Sequence, residues 1–295
     1  MTPLTLDRLR LLLAVASRRT IAGAAEESGY TASAVSQQLS ALERELGSSL
    51  LERSNRGVTL TPAGARLAER AAVILDLVQA ATIEATQAGP QTAPITLRVG
   101  AFPTAISALV VPAMALIGSG VRVITVHAEP EQALTELAAR RIDAALVDFY
   151  DLLPDQGRSG LRNVNLLTDP LRIVTRADRA EPREIIDLAG IEWVLGDARG
   201  RLGRVSRMAL RAAGIEPAVV VESDDHWVTF DVMRSLDVAA VLPDLALRAM
   251  PDHVRTAAHI ELSCNRNIQL VMRRVLHPHP GFAVLQDALL DAAAC

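Results

Sequence analysis

From Ala65 to Ala88 the sequence contains neither Gly nor Pro, and Thr61-Pro62 stands just before this run. Thr is a good helix cap and Pro is favoured at the first helical position, so the spacing predicts about 25 residues of continuous helix. A helix of that length is not stable alone in water; it needs an apolar stripe covered by something else. Leu67, Ala71, Ile74, Val78, Ala81 and Ala85 fall at the a and d positions of a heptad. The simplest cover is the same helix of a second subunit, so residues 61–89 are expected to form a dimerisation helix; docking on the chain's own domains is the other solution. Gly89-Pro90-Gln91-Thr92-Ala93-Pro94 breaks the pattern and predicts a hinge over 90–94. The chain is thereby split into a small unit, residues 1–60, and a larger one, residues 95–295.

Composition limits what these units do. Half of the 295 residues are apolar but only 3% are aromatic, so the cores must be aliphatic. No apolar run approaches the ~18 residues of a membrane span. Asp7 and Arg8 interrupt the start before any apolar run, which is unlike a secretory signal; a cytoplasmic protein without membrane contact is expected. Cys264 and Cys295 lie in no metal-ligand spacing, and the one histidine pair, His277 and His279, sits in a Pro-rich turn. No metal or cofactor is expected. A phosphate loop, a nucleophile elbow and a zinc motif are all lacking, so no enzymatic role is expected.

Net charge is −4, and all thirty basic residues are Arg. Residues 1–60 carry seven Arg (8, 10, 18, 19, 44, 53, 56) against six acids (7, 26, 27, 43, 45, 52). Charge therefore does not mark a nucleic-acid binder, and the local pattern must decide. Leu6, Leu9, Leu13 and Ala16 predict a first helix over 5–17. Thr20 caps a short helix, Ile21 to Ser28, whose Ala22-Gly23-Ala24-Ala25 permits close helix approach. Gly29 suits its end, and Thr31 caps a third helix, Ala32 to Leu46, that stops at Gly47. Ala34, Val35, Leu39, Leu42 and Leu46 form its buried stripe. Thr31, Ala32, Ser33, Ser36, Gln37 and Ser40 lie on the other side. These are short polar groups and a Gln, free of acids until Glu43, which suit base edges in the major groove. Arg44 suits an ion pair on its own helix face more than a phosphate. Two apolar stretches, Leu50–Arg53 and Val58–Leu60, flank Ser54-Asn55-Arg56-Gly57 and predict a hairpin wing. Arg53 and Arg56 near its tip suit phosphate or minor-groove contact.

At this point the chain, from Leu4 to about Ala72, resembles the DNA-binding domain of the LysR family of transcriptional regulators. The resemblance rests on Ala24-Ala25, Ser33-Ala34-Val35-Ser36-Gln37-Gln38-Leu39, Leu42-Glu43, Leu46-Gly47, Leu50-Leu51-Glu52-Arg53 and Leu60-Thr61-Pro62-Ala63-Gly64. Ala32 and Ser33 stand where the family often has Gln and Pro, and Leu51 where it often has Phe. The first pair touches DNA in the family, so the resemblance implies an altered operator preference.

From Ile95 the pattern alternates between strands and helices, an α/β arrangement. Strands are expected at 95–101, 121–126 and 144–147, with further apolar runs at 166–176, 191–195, 219–222, 238–242, 259–263 and 268–272. Helices are expected at 104–117, 131–140, 205–213, 225–236, 244–250 and from about 281. Arg98-Val99-Gly100 and Arg141-Ile142-Asp143-Ala144-Ala145-Leu146 continue the resemblance. It implies a periplasmic-binding-protein-like effector domain of two α/β lobes, the first over 95–165 and 268–295, the second over 166–267, with a ligand cleft between them. Ligands in open α/β sheets sit beyond the carboxyl ends of strands. That places Ala101, Phe102, Pro103 and Thr104 at the cleft, where backbone N–H groups and the Thr104 hydroxyl suit a carboxylate or phosphate. Asp148, Gly196, Ser223 and Asp225 leave other strands. Asp148 or Asp225 suits an amino group or an arginine-like ligand; each equally suits a cap or a hinge-stabilising pair. Thr104 equally suits a plain helix cap. Arg199-Gly-Arg-Leu-Gly-Arg204 reads as a solvated loop leading into a helix, with an anion site as the rarer alternative.

The resemblance implies double-stranded DNA and a small-molecule effector, a small acid or amino acid, as partners. It also implies a homodimer, a working homotetramer on an interrupted palindromic operator, and RNA polymerase as a further contact. The alternative is a small-molecule binding protein without a gene-regulatory role.

Overall fold

The computed structural model describes residues 4–54, 57–87, 94–153, 161–273 and 280–294. Its N-terminal unit is built on side-chain caps. Helix α1 (Leu6–Arg18) starts where Thr5 accepts a hydrogen bond from the Arg8 N–H, and α2 (Ile21–Ser28) where Thr20 accepts from Gly23. Gly29 ends α2 at φ +71°, a left-handed conformation open to glycine at little cost. Helix α3 (Ala32–Leu46) opens with the Thr31 hydroxyl accepting from Ala34. Strands β1 (Leu51–Ser54) and β2 (Gly57–Leu60) pair antiparallel, Leu51 opposite Leu60 and Ser54 opposite Gly57. The turn is thus tighter than expected, because Ser54 and Gly57 belong to the ladder. The Glu43 carboxylate accepts from the Leu50 and Leu51 N–H groups at 2.8 and 3.1 Å, which ties the wing to α3. Leu11, Leu12, Val15, Val35, Leu39 and Leu42 fill the core.

Helix α4 (Pro62–Gln87) runs 26 residues. Its first turn passes so close to β1 that a Cβ on Gly64 would lie 2.1 Å from the Leu50 carbonyl oxygen. Ala71 and Leu75 pack with Leu9 of α1. The heptad stripe is therefore only partly the buried one: Ala71 is covered, Leu67 and Val78 are half-buried, and Ile74, Ala81 and Ala85 are exposed. The chain's own α1 takes one side of the helix and leaves Val73, Ile74 and Leu77 facing outward. Most of the expected hinge over 90–94, residues 90–93, lies outside the described residues.

The C-terminal unit is α/β. In chain order it contains β3 (Ile95–Ala101), α5 (Pro103–Ala105), α6 (Val111–Leu116), β4 (Val121–His127), α7 (Pro130–Ala138), β5 (Ala144–Tyr150), β6 (Leu161–Arg176), β7 (Glu192–Leu195), α8 (Arg201–Ala212), β8 (Ala218–Glu222), α9 (His226–Ser235), β9 (Val238–Pro243), β10 (Val254–Thr256), β11 (Asn265–Arg273) and α10 (Pro280–Ala294). The strand order is β4-β3-β5-β11-β6-β9-β7-β8, with β10 on β6. The long β6 joins two lobes: its first half pairs with β11, and Leu171–Val174 pair with β9. Leu109, Leu146, Leu270, Phe282 and Leu289 belong to the first lobe's core, Trp193, Val205, Leu210 and Val241 to the second's.

Several expected boundaries shift for identifiable reasons. The helix expected over 104–117 is interrupted by a π-helical stretch, Ile106–Val110. Pro112 has no N–H to offer the carbonyl of Ala108, and the Arg248 guanidinium donates to that oxygen instead, at 3.1 Å. Strand β5 runs on through Asp148 to Tyr150 because β11 pairs along its whole length. Helix α8 begins at Arg201, inside the stretch read as a loop. Residues 244–249 form a 3-10 helix, and the strand after it is β10 rather than 259–263.

The two units touch. Consecutive residues after α7 grip different parts of the N-terminal unit: Arg140 meets Asp76 of α4 at 2.7 Å and also donates to the Ala72 carbonyl, while Arg141 meets Glu27 of α2 at 2.7 Å. Arg273 of β11 approaches the same Asp76 oxygen at 3.0 Å.

Candidate nucleic-acid interface and ligand cleft

Helix α3 presents two unlike faces. Val35, Leu39 and Leu42 are buried, whereas Thr31, Ala32, Ser33, Gln37 and Ser40 are exposed and Ser36 is half-buried. Thr31 and Ser33 share a hydrogen bond of 3.0 Å at the helix start, so the first turn is ordered. Gln38, on the flank, accepts from Arg8, which also pairs with Glu45 at 2.7 Å. That leaves the outward edge to neutral, short side chains. Arg44 is exposed and donates to the Ser40 carbonyl rather than to an acid. Arg56 and the side chain of Arg53 lie outside the described residues.

A cleft of about 340 Å³ lies between the lobes. From the first lobe Phe102, Pro103, Thr104, Glu129, Glu131, Asp148 and Tyr150 line it; from the second, Gly200, Arg201, Asp224, His226 and Pro243; Arg266 of β11 also contributes. Of the residues expected here, Phe102, Pro103, Thr104 and Asp148 meet in this cleft. Ala101 is buried in the first lobe's core. The Gly196 carbonyl accepts from Arg207, and Ser223 turns its hydroxyl to the Asp225 N–H. Asp225 caps α9 by accepting from Trp227 at 2.8 Å; its neighbours Asp224 and His226 face the cleft instead. Thr104 does not cap its helix, and its buried hydroxyl has no hydrogen-bond partner.

Arg266 is the cleft's fixed point. It is buried, its Nε lies 2.8 Å from Asp169, and its guanidinium stacks 5.1 Å from the Phe102 ring centre. The pair is well supported, since Asp169 also accepts from the Leu245 N–H. Sequence reading missed Arg266 and Glu129, favoured a solvated loop over an anion site for the stretch that holds Arg201, and chose Asp225 over its neighbour Asp224. Arg266 opens a strand whose alternation reveals nothing about the opposite lobe, and Arg201 was hidden by its Gly-rich setting. Burial pushes the carboxyls of Glu129, Asp148 and Asp224 up, and holds the His226 imidazole below its ordinary range. Tyr150 is pushed up strongly and donates to Asp148.

Among the described residues no helix is long and apolar enough to cross a membrane, and no group of three or more His, Cys, Asp or Glu is placed to hold a metal ion.

Residues 6–65 match the bacterial regulatory helix-turn-helix protein, lysR family, and residues 91–294 match the LysR substrate binding domain. A probable hydrogen peroxide-inducible genes activator of Mycobacterium avium is 36% identical over 148 residues, 48% of this chain and 47% of that protein. The chain therefore spans about half the length of that relative. An uncharacterized HTH-type transcriptional regulator, YfeR of Shigella flexneri, is 29% identical over 97% of this chain and 94% of its own length. Full-length OxyR from Pseudomonas aeruginosa shares the fold, with a TM-score of 0.69 and 21% identity, over 98% of this chain and 95% of that one. The regulator CbnR, solved in complex with its target DNA, does so with a TM-score of 0.56 and 20% identity, over 98% of this chain and 100% of that one.

Proposed function

The chain belongs to the LysR family of bacterial transcriptional regulators, and from that premise we propose that it reads an interrupted palindrome as a dimer and responds to a small molecule held between its lobes. The observation that carries the first half is the outward polar edge of α3, where Thr31, Ala32, Ser33, Gln37 and Ser40 stand exposed on a helix whose apolar side is packed. Such an edge fits the major groove, with Arg53 and Arg56 of the wing on the flanking backbone or minor groove. Val73, Ile74 and Leu77 of α4, left uncovered by α1, support pairing with the same helix of a second copy. Val111, Met114 and Leu116 on one lobe, and Trp227 and Val228 on the other, offer further apolar surface for joining dimers into a tetramer, which would gain affinity by effective concentration. The site of action is the cytoplasm, where the operator lies, and RNA polymerase is the further contact if the regulator activates.

The cleft supports the second half of the reading. Its volume suits a small metabolite, and a ligand that favours one arrangement of the lobes shifts the dimer's geometry on DNA. A peroxide response, which the name of the mycobacterial relative raises, is not favoured at Cys264, the one cysteine among the described residues: peroxide reacts with an exposed thiolate, whereas Cys264 is buried with its thiol pushed up to about 11.

A gel-shift titration against salt tests the DNA reading. Specific binding should weaken steeply with salt. Gln37→Ala should relax base choice with a loss of roughly 1–3 kcal/mol, and Arg53→Ala with Arg56→Ala should flatten the salt slope. An unchanged footprint for Gln37→Ala and Ser36→Arg would overturn the recognition-helix assignment. No preference for any duplex over random sequence would favour a small-molecule binding protein without a regulatory role.

A further inference from the structure

The charges around the cleft do not balance. Glu129, Glu131, Asp148 and Asp224 line it against the guanidinium groups of Arg201 and Arg266. Arg266 is held by Asp169, with two nitrogens at 2.8 and 2.5 Å from one carboxylate oxygen, and its Nη1 also stands 3.9 Å from Asp148. Arg201 stands 3.9 Å from Glu131 and 3.9 Å from Asp148, so it is shared between two acids. Burial disfavours the protonated form of His226, so the imidazole is a poor counter-charge for these acids. Burial is the main penalty on ionised Glu129 and Asp148; His127 beside Glu129, and Arg266 and Arg201 beside Asp148, offset it, while the like charges of Asp148 and Asp224 on Glu129 and of Glu131 on Asp148 add to it. Counting Asp169, five carboxylates thus face two guanidinium groups in and beside a partly enclosed space, so the excess there is negative.

An acid cluster at a surface is ordinarily a solvated face. A second observation separates this one from that case. Thr104 is only 8% exposed, lines the same cleft, and keeps a hydroxyl with no hydrogen-bond partner. Buried polar groups are almost always paired, so a hydroxyl left over at a cavity wall is one that an occupant would satisfy.

We propose, resting on the reading of the cleft as the effector site, that its ligand is a small organic molecule bearing a protonated amine, seated among Glu129, Asp148 and Asp224, with a second polar group meeting Thr104. A simple organic acid adds negative charge to a site already in excess. An amine relieves the mutual repulsion and makes charge-assisted hydrogen bonds to the carboxylates. An amino acid and an aliphatic diamine share this chemistry. The first brings a carboxylate that suits Thr104 and Arg201; the second brings another cation that suits Glu131.

Thermal melts of the full chain with L-leucine, L-arginine, 1,4-diaminobutane, succinate and benzoate test the proposal. At least one amine-bearing probe should raise Tm while succinate and benzoate do not; which probe acts best separates the two sources. Glu129→Gln and Asp224→Asn, both near-isosteric, should each weaken that probe about tenfold, with melts of the ligand-free variants reporting their folding. No shift from any amine overturns the proposal. A shift from succinate or benzoate alone, abolished by Thr104→Val, overturns the ligand class and leaves the cleft assignment standing. An amine shift untouched by Thr104→Val, Glu129→Gln and Asp224→Asn overturns both, because the binding then lies elsewhere.

Discussion

Asp76 of α4 and Arg140 of the loop after α7 meet at 2.7 Å across the boundary between the DNA-binding unit and the effector lobe. Arg140 adopts φ +62°, a left-handed conformation uncommon for a residue with a side chain, and from there it also reaches the Ala72 carbonyl. Arg273 adds its own contact to the same carboxylate and is held in turn by the Leu137 and Ile142 carbonyls. The helix for which dimerisation was the first expectation and docking on the chain's own domains the other is thus fastened to its own effector lobe.

Removing the shared anion is therefore the most damaging single change at this boundary. Asp76→Ala leaves the buried Arg273 and the half-buried Arg140 guanidinium groups facing each other and should cost about 3–5 kcal/mol. Arg140→Ala should cost less, because Arg273 still neutralises Asp76. Urea denaturation of the full chain measures both. Equal losses would show that Arg273 does not share the charge.

Arg266 and Asp169 offer a cleaner test of a buried pair. Arg266→Ala strands the Asp169 carboxylate, which is 1% exposed, and should destabilise the chain by roughly 3–5 kcal/mol. The double substitution Arg266→Met with Asp169→Asn, which removes both charges, should recover at least half of that loss. A double variant as unstable as the single one would place the cost in packing on Phe102 rather than in charge.

Gly64 tests the junction between wing and linker helix. A Cβ there would meet the Leu50 carbonyl at 2.1 Å and its Cα at 3.2 Å, both backbone atoms that cannot swing aside. Gly64→Ala should cost about 1–3 kcal/mol despite the higher helix propensity of Ala. Hydrogen exchange should show faster opening around residues 50–61. A neutral or stabilising outcome would mean that α4 can shift along β1.

Acid should loosen the pair with Glu136 that holds Arg141 within its own lobe. Arg141 donates to Glu136 and Glu27, and its N–H groups hold the Glu136 carboxyl below the usual glutamate range. A depressed folded value makes the contribution fully present above the unfolded value, about 4.3, and lost as pH falls through the folded one. The stability gap between the native chain and Glu136→Gln should stay level from about pH 7 to 5, at no more than about 1 kcal/mol, and close below about pH 4. A gap that widens on acidification would contradict the assignment.

The local structure of the DNA-binding unit was legible residue by residue. Thr20, Thr31 and Gly29 act through hydrogen bonds and dihedrals a few residues long, so α2 and α3 begin and end where the chemistry of the chain places them. The apolar runs of the effector half announced most of its strands, but 259–263 forms none and β10 was not among those expected. Their extensions did not show, because Asp148 joins β5 only through its pairing with Ile268 of β11.

The cleft and the boundary contact were decided elsewhere. Phe102, Thr104 and Asp148 could be named from strand ends, but Arg266 and Arg201 reach the same space from distant stretches, and nothing near Asp76 in the chain foretells that Arg140 and Arg273 will cover it. The sequence by itself determined helices, turns and the polar edge of α3, since these depend on neighbours within a turn or two. Only the tertiary structure decided which charges are buried together, because the energy of an ion pair depends on distance and solvent access, and both are set by the packing of remote elements.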